Sequence, residues 1–192
     1  MTVRIDMTEV ARGPVLSGAV NGKDAFAAFV KAVDVEPKEP TALFLDFRNV
    51  EVATASYLRE SVFALKTYMR ARNSKFYPVV ANVNNSVMDE LSVITILTND
   101  VIMSCQIDGN RNILSQELIG TLDPKQKMTF DLVSSSERID ANSLMENFGE
   151  SEKTKGTTAW NNRLSGLVSK GIIREFAQGR AKFYRPLLDR GE

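Results

Sequence analysis

The hydrophobic residues in the last third of the chain follow two periods. One row of apolar side chains has the spacing of a single helix face: Trp160, Leu164, Leu167 and Val168. This spacing predicts a helix over 157–170, which Gly171 would end. Two β-prone runs follow at 172–176 and 181–185, and the loop between them contains a glycine. That arrangement predicts a β-hairpin directly after the helix.

Two further helices are predicted just before this segment. Asp123 followed by Pro124 is a strong helix start, because aspartate caps the free N–H groups and proline suits the first turn. Asp140 is placed to cap a second helix, and Gly149 would close it. The connection over 149–156 is longer than the three-to-four-residue turn of the simplest helix-turn-helix.

The first two thirds of the chain alternate between strand-like and helix-like patterns. Predicted strands lie at 41–47, 76–83 and 101–107. Predicted helices lie around Phe26 with Asp24 as N-cap, from Ala55 or Ser56 onward, and over 88–97, which is apolar nearly all round. This alternation predicts an α/β domain with a parallel or mixed sheet and right-handed crossovers.

The length of the chain and a change of pattern near Asp123 suggest two domains. The chain has 192 residues, enough for one large domain or two small ones. The change in pattern near Asp123 predicts a boundary that separates residues 1–121 from residues 122–192.

The chain is neutral overall, but residues 151–192 contain nine Lys and Arg against four Asp and Glu, a net charge of +5. A basic segment in a neutral protein is typical of a surface that binds a polyanion.

The composition argues against several kinds of catalysis. There is no histidine, which removes the usual general base and the commonest transition-metal ligand. The single Cys105 suits a reducing compartment and is expected to be a buried, inert strand residue. No nucleotide-binding fingerprint, signal peptide or long apolar span is found in the sequence. We therefore expect a cytoplasmic protein that is not an enzyme and uses no cofactor or metal.

A polar row lies opposite the apolar row of the 157–170 helix. The bland interpretation is a solvated face, but the basic flanks favour contact with duplex DNA, since Asn pairs with adenine and Arg with guanine. Lysines before the helix and cations on the hairpin would hold phosphates or reach the minor groove. The predicted DNA-binding residues are Lys153, Lys155, Thr157, Thr158, Asn161, Asn162, Arg163, Ser165, Arg180 and Lys182.

Residues 123–186 resemble the winged helix-turn-helix of bacterial transcription regulators. The similarity rests on TTAWNNRLSGLVSKGIIREFAQGRAKFYRPL, in which a helix, a glycine exit and a Gly-Arg hairpin with an aromatic residue follow one another. This resemblance implies a winged-helix fold with the 157–170 helix in the major groove. Some winged helices bind protein instead of DNA.

Residues of roughly 20–120 resemble the STAS family, and most closely the STAS-like domains of unknown function. The similarity rests on FLDFRNVEVATASYLRESVFAL, a strand, a short loop and a helix that begins near a serine. In anti-sigma-factor antagonists this loop reads Asp-Ser-Ser-Gly, and a partner kinase phosphorylates the second serine. The corresponding positions here are Thr54, Ala55, Ser56 and Tyr57, so only the phospho-accepting serine is retained. The resemblance implies phosphorylation of Ser56; the plainer alternative is that Ser56 caps the helix.

Together these patterns predict a regulator that binds double-stranded DNA. Its STAS-like domain would sense a signal or bind a partner protein or kinase, and the chain would form a homodimer. The alternative is a partner-switching adaptor that binds only proteins, with the winged helix docking one of them.

Overall fold

The structure is a computed structural model that describes residues 3–110 and 112–188. The chain divides into two compact units, the second of which is Leu122–Leu187. The first unit is a mixed α/β fold with a mainly parallel sheet, as the alternation of patterns predicts. No helix in the described ranges is long and apolar enough to cross a membrane.

The first unit is built on a five-stranded sheet in the order β1-β3-β5-β6-β7. The first four strands are parallel, and β7 runs antiparallel to β6. A separate parallel pair is formed by β2 and β4. The strands are β1 Val3–Asp6, β2 Val15–Leu16, β3 Thr41–Asp46, β4 Val52–Ala53, β5 Phe76–Ala81, β6 Ile102–Ile107 and β7 Ile113–Ile119.

Helices connect the parallel strands and supply the core. The helical segments are α1 Met7–Ala11, α2 Ala19–Ala32, α3 Ala55–Leu58, a π-helical turn Arg59–Phe63, α4 Ala64–Ala71 and α5 Asn85–Thr98. Their apolar residues pack on the sheet face that carries Leu43, Leu45 and Val80. In β3 the intervening Phe44 is buried but lies outside this cluster, because neighbouring strand residues point to opposite faces.

Three sequence predictions in this unit are wrong in detail. Asp24 does not cap α2, which begins five residues earlier after Gly18. Gly22 lies inside this helix and lets it approach α3 closely, since a Cβ there would lie only 2.7 Å from the carbonyl oxygen of Tyr57. The α5 helix is not buried all round, since Ile96 and Leu97 are 76% and 78% exposed. The antiparallel strand β7 has no counterpart among the predicted strands.

The second unit contains three helices and a hairpin. These elements are α6 Pro124–Ser134, α7 Ala141–Phe148, α8 Thr157–Ser169, β8 Ile173–Gln178 and β9 Ala181–Pro186. Asp123 and Asp140 cap α6 and α7 as expected, by accepting backbone N–H bonds of 2.8–3.0 Å. Ile139 and Tyr184 exchange backbone hydrogen bonds of 3.0 and 2.8 Å, so the chain before α7 adds a bridge to β9.

Candidate nucleic-acid interface

Helix α8 is held against its unit by one apolar face. Trp160, Leu164 and Leu167 are fully buried, and α8 packs against both α6 and α7. The helix ends where Gly171 adopts a left-handed φ of +68° and the Ile172 N–H donates to the Leu167 carbonyl at 3.2 Å. This glycine exit supplies backbone N–H donors to carbonyl groups of the last turn that would otherwise need water. The orientation of α8 is therefore fixed by packing.

The connection between α7 and α8 is ordered by hydrogen bonds. The Thr154 N–H donates to the Gly149 carbonyl at 2.9 Å, and the Glu152 N–H donates to the Phe148 carbonyl at 3.0 Å. The indole Nε1–H of Trp160 donates to Thr154 Oγ1 at 3.1 Å. The long connection is thus tied to the buried face of the helix that follows it.

The opposite face of α8 presents a row of exposed polar side chains. The members of this row are Thr158, Asn161, Asn162 and Ser165, and Thr157 beside them is half-buried. Within the described part of the chain, neither asparagine side chain has an intramolecular hydrogen bond. Their amide groups are thus available to an external partner. The structure brings these five predicted residues onto one side of one helix.

Arg163 does not belong to this row. Its side chain is 9% exposed, its Nη1 lies 2.9 Å from Glu152 Oε2, and its guanidinium carbon stands 4.5 Å from the centre of the Trp160 ring. The prediction that Arg163 faces the major groove is therefore wrong. The reason is geometric: Arg163 follows Trp160 by three residues and precedes Leu167 by four, so it shares their buried side of the helix.

The cations predicted to hold phosphates are all exposed, but one of them is already in an ion pair. Lys153 and Lys155 precede α8 and are exposed, with Lys153 in a left-handed conformation (φ +51°). Arg180 is exposed in the two-residue turn of the β8–β9 hairpin, after Gly179 with its positive φ of +62°. Lys182 is exposed but lies 2.9 Å from Glu175, an ion pair that solvent weakens and that competes only mildly with a phosphate.

Sequence reasoning missed an aromatic and cationic stack on the hairpin. Phe176 and Phe183 are cross-strand partners whose rings stack at 5.1 Å, and the Arg138 guanidinium lies 3.8 Å from the centre of the Phe183 ring. The sequence did hold a signal for the phenylalanine pair, because Phe176 and Phe183 lie equally far from the Gly179-Arg180 turn. No local signal existed for Arg138, which reaches the hairpin because Ile139 bridges to Tyr184.

The charge of the second unit is modestly positive. Residues 122–187 contain eleven Lys and Arg against eight Asp and Glu, a net charge of +3. Two of these acids, Glu152 and Glu175, are paired with Arg163 and Lys182. Residues 189–192, which contributed to the predicted basic segment, lie outside the described residues.

The serine singled out in the first unit is not the helix cap. The cap of α3 is Thr54, whose Oγ1 accepts the Tyr57 N–H at 3.4 Å and lies 3.1 Å from the Ser56 hydroxyl. The Ala55 N–H donates to Glu90 Oε2 of α5 at 2.9 Å. A carboxylate therefore already occupies this helix start, close to a half-buried Ser56.

Cys105 is buried in β6, as predicted. The residue is 2% exposed, and burial, with the nearby Asp46 carboxylate, raises the pKa of its thiol to about 12. Within residues 3–110 and 112–188, no three Cys, Asp or Glu side chains are grouped so that they could hold a metal ion.

Comparison of the chain with protein-family profiles, curated protein sequences and solved structures finds no match.

Proposed function

We propose that this chain is a transcription regulator that binds duplex DNA through its second unit. In this proposal Leu122–Leu187 is a winged helix-turn-helix, α8 is the helix that enters the major groove, and the β8–β9 hairpin is the wing. The first unit is a STAS-like module that senses a signal or binds a partner protein.

The exposed polar row of α8 carries the proposal. Thr158, Asn161, Asn162 and Ser165 combine hydrogen-bond donors and acceptors with an absence of carboxylates, which is the chemistry that base edges require. The buried opposite face anchors the helix, so the backbone that carries the row is already folded before a partner binds. Arg180 at the hairpin turn adds a long cation that is suited to a phosphate or a minor groove.

Element order gives further support. Three helices are followed by a hairpin, and the bridge between Ile139 and Tyr184 adds a third short strand contact between the first and second helices. For the first unit, support comes from parallel strands joined by helices and from Ser56 in the first turn of α3. In that module Ser56 is the proposed target of a kinase.

A protein-binding adaptor is the second candidate. It is favoured by the small net charge of +3 over residues 122–187 and by the ion pairs that neutralise Arg163 and Lys182. A surface with this charge balance would suit a protein partner as well as a polyanion.

Fluorescence-anisotropy titrations against labelled genomic duplexes test the proposal. Asn161→Ala or Asn162→Ala should cost about 1–3 kcal/mol on the preferred duplex and little on random DNA, because base contacts specify sequence. Lys31 is an exposed cation of α2 in the first unit. Lys31→Ala is the surface control and should change the affinity for neither the preferred duplex nor random DNA. Trp160→Ala should abolish binding by unfolding the second unit. Asparagine variants that bind every duplex like the unchanged chain, yet fail to capture a protein partner, would establish the adaptor instead.

A further inference from the structure

The outer side of α5 carries apolar residues that nothing in the described chain covers. Val93, Ile96 and Leu97 lie on one side of this helix and are 48%, 76% and 78% exposed. Leu114 of the adjoining strand β7 is also 68% exposed, but alternation from the buried Ile119 places it on the face of the sheet opposite α5. A concentration of large exposed aliphatic side chains on one part of a surface is typical of an interaction site.

Helix α5 and strand β7 are neighbours. Gly120 directly follows β7 and adopts a left-handed φ of +99°, and a Cβ at this position would lie 3.0 Å from the Thr95 Cβ of α5. The exposed Ile96 and Leu97 therefore project from the helix turn that stands beside the end of β7. The exposed side of α5 and the free edge of β7 therefore adjoin. We call them together the β7 edge surface, which consists of Val93, Ile96, Leu97 and residues 113–119.

The two edges of the sheet differ in how they are protected. Strand β1 is four residues long and carries Arg4 and Asp6, and such short, charged edges resist pairing with another chain. Strand β7 has seven residues, ILSQELI, with Glu117 as its one charge and neither lysine nor proline. A bulge interrupts its ladder with β6 at Leu114, and the pairing is regular from Ser115 to Ile119. It occupies the end of the sheet, so its outer backbone groups have no strand partner within the described chain.

We propose that two copies of this chain associate through their β7 edge surfaces, with the two β7 strands pairing antiparallel about a two-fold axis. The two sheets then continue into one, and the exposed side chains of each α5 pack across the same axis. Two-fold pairing is the commonest symmetry of protein dimers, and it requires a surface that is complementary to itself.

The charges of β7 select the register of this pairing. With the axis at Gln116, Glu117 of each copy faces Ser115 of the other, a pair that can hydrogen-bond, and both residues lie in the regular part of β7. With the axis at Glu117, two carboxylates would face each other directly, which destabilises a strand pair. Of these two registers, the axis at Gln116 is the one that the charges of β7 favour. This assembly does not rest on DNA binding by the second unit.

The mass of the full chain in solution, measured by light scattering with centrifugation, tests the proposal. Gln116→Lys should give a monomer, because two lysines would face each other at the axis. Ser115→Lys adds the same charge one position away but faces Glu117 of the other copy, so it should keep the dimer. Circular dichroism melting of each variant separates loss of pairing from loss of folding.

A second pair of variants tests the contribution of α5. Leu97→Glu should lower the dimerisation affinity at least tenfold, whereas Val35→Glu, at a residue equally exposed at 77% but outside the surface, should not change it. Gln116→Cys should form an intermolecular disulfide under mild oxidation, since facing residues of antiparallel strands lie within disulfide reach. A monomeric unchanged chain overturns the proposal. So does a dimer that survives both Gln116→Lys and Leu97→Glu, or one that binds a foreign β-strand peptide at this edge in preference to its own copy.

Discussion

Replacing Arg163 with methionine separates a structural role for this arginine from a base-reading role. Methionine keeps an unbranched apolar stem beside Trp160 but removes the guanidinium. The lost contacts are the ion pair with Glu152 at 2.9 Å and the cation–π contact with Trp160 at 4.5 Å. The expected consequence is a less stable second unit with its surface chemistry unchanged.

The size of the effect follows from burial. The Arg163 side chain is 9% exposed, so its cation–π contact is largely shielded and should contribute about 1–2 kcal/mol. Glu152 is 24% exposed and stays hydrated when its partner is lost, so the penalty is smaller than for a fully buried pair. We expect the free energy of unfolding of the second unit to fall by about 2–3 kcal/mol.

Urea denaturation followed by tryptophan fluorescence measures this change directly. Trp160 is the only tryptophan of the chain, so the signal reports on the unit that contains Arg163. A double-mutant cycle with Glu152→Gln should give a coupling energy of about 1 kcal/mol, because the two side chains are in direct contact. A transition within about 0.5 kcal/mol of the unchanged chain, combined with selective loss of affinity for a preferred duplex, would refute the structural role and restore the base-reading one.

Three other outcomes are expected. Burial raises the pKa of Tyr57 and Tyr184 from the usual 10.0 to about 12, with Glu175 adding to the shift of Tyr184. Unfolding frees these phenols to ionise, so their contribution to stability, measured by urea titration, should be constant below pH 10 and fall between pH 10 and 12. Cys105 should react slowly with a thiol reagent in the native chain and rapidly in urea, and rapid native labelling would contradict its burial. A polypeptide of residues 122–192 should show a cooperative melt by circular dichroism, whereas an unfolded fragment beside a stable full chain would mean that the two units share one core.

Local capping chemistry made the second unit predictable from sequence. Asp123 and Asp140 each accept N–H groups of the following helix turn, and such contacts depend on residues only two or three positions apart. The hairpin was predicted for the same reason, although its strands extend further, to Gln178, and leave a two-residue turn.

Features that depend on distant contacts could not be predicted in this way. The pair Asn21-Gly22 has the sequence of a turn, yet it lies inside α2 because the missing side chain lets that helix approach Tyr57. The partner of Arg163, Glu152, lies in an irregular connection whose path no periodicity describes. The burial of Arg163 itself could have been predicted, since its spacing from Trp160 and Leu167 is that of one helix face.

DNA affinity as a function of salt is the measurement that tests the central claim most directly. If the second unit binds duplex DNA, the logarithm of the association constant should fall linearly with the logarithm of salt concentration. Arg180→Ala should weaken binding to all duplexes alike and lower the magnitude of the slope by about one, because one phosphate contact is lost. Lys31→Ala should leave the slope unchanged. The claim is contradicted if the unchanged chain fails to bind duplex DNA at low salt. It is also contradicted if Arg180→Ala shows the same salt slope as Lys31→Ala and the unchanged chain.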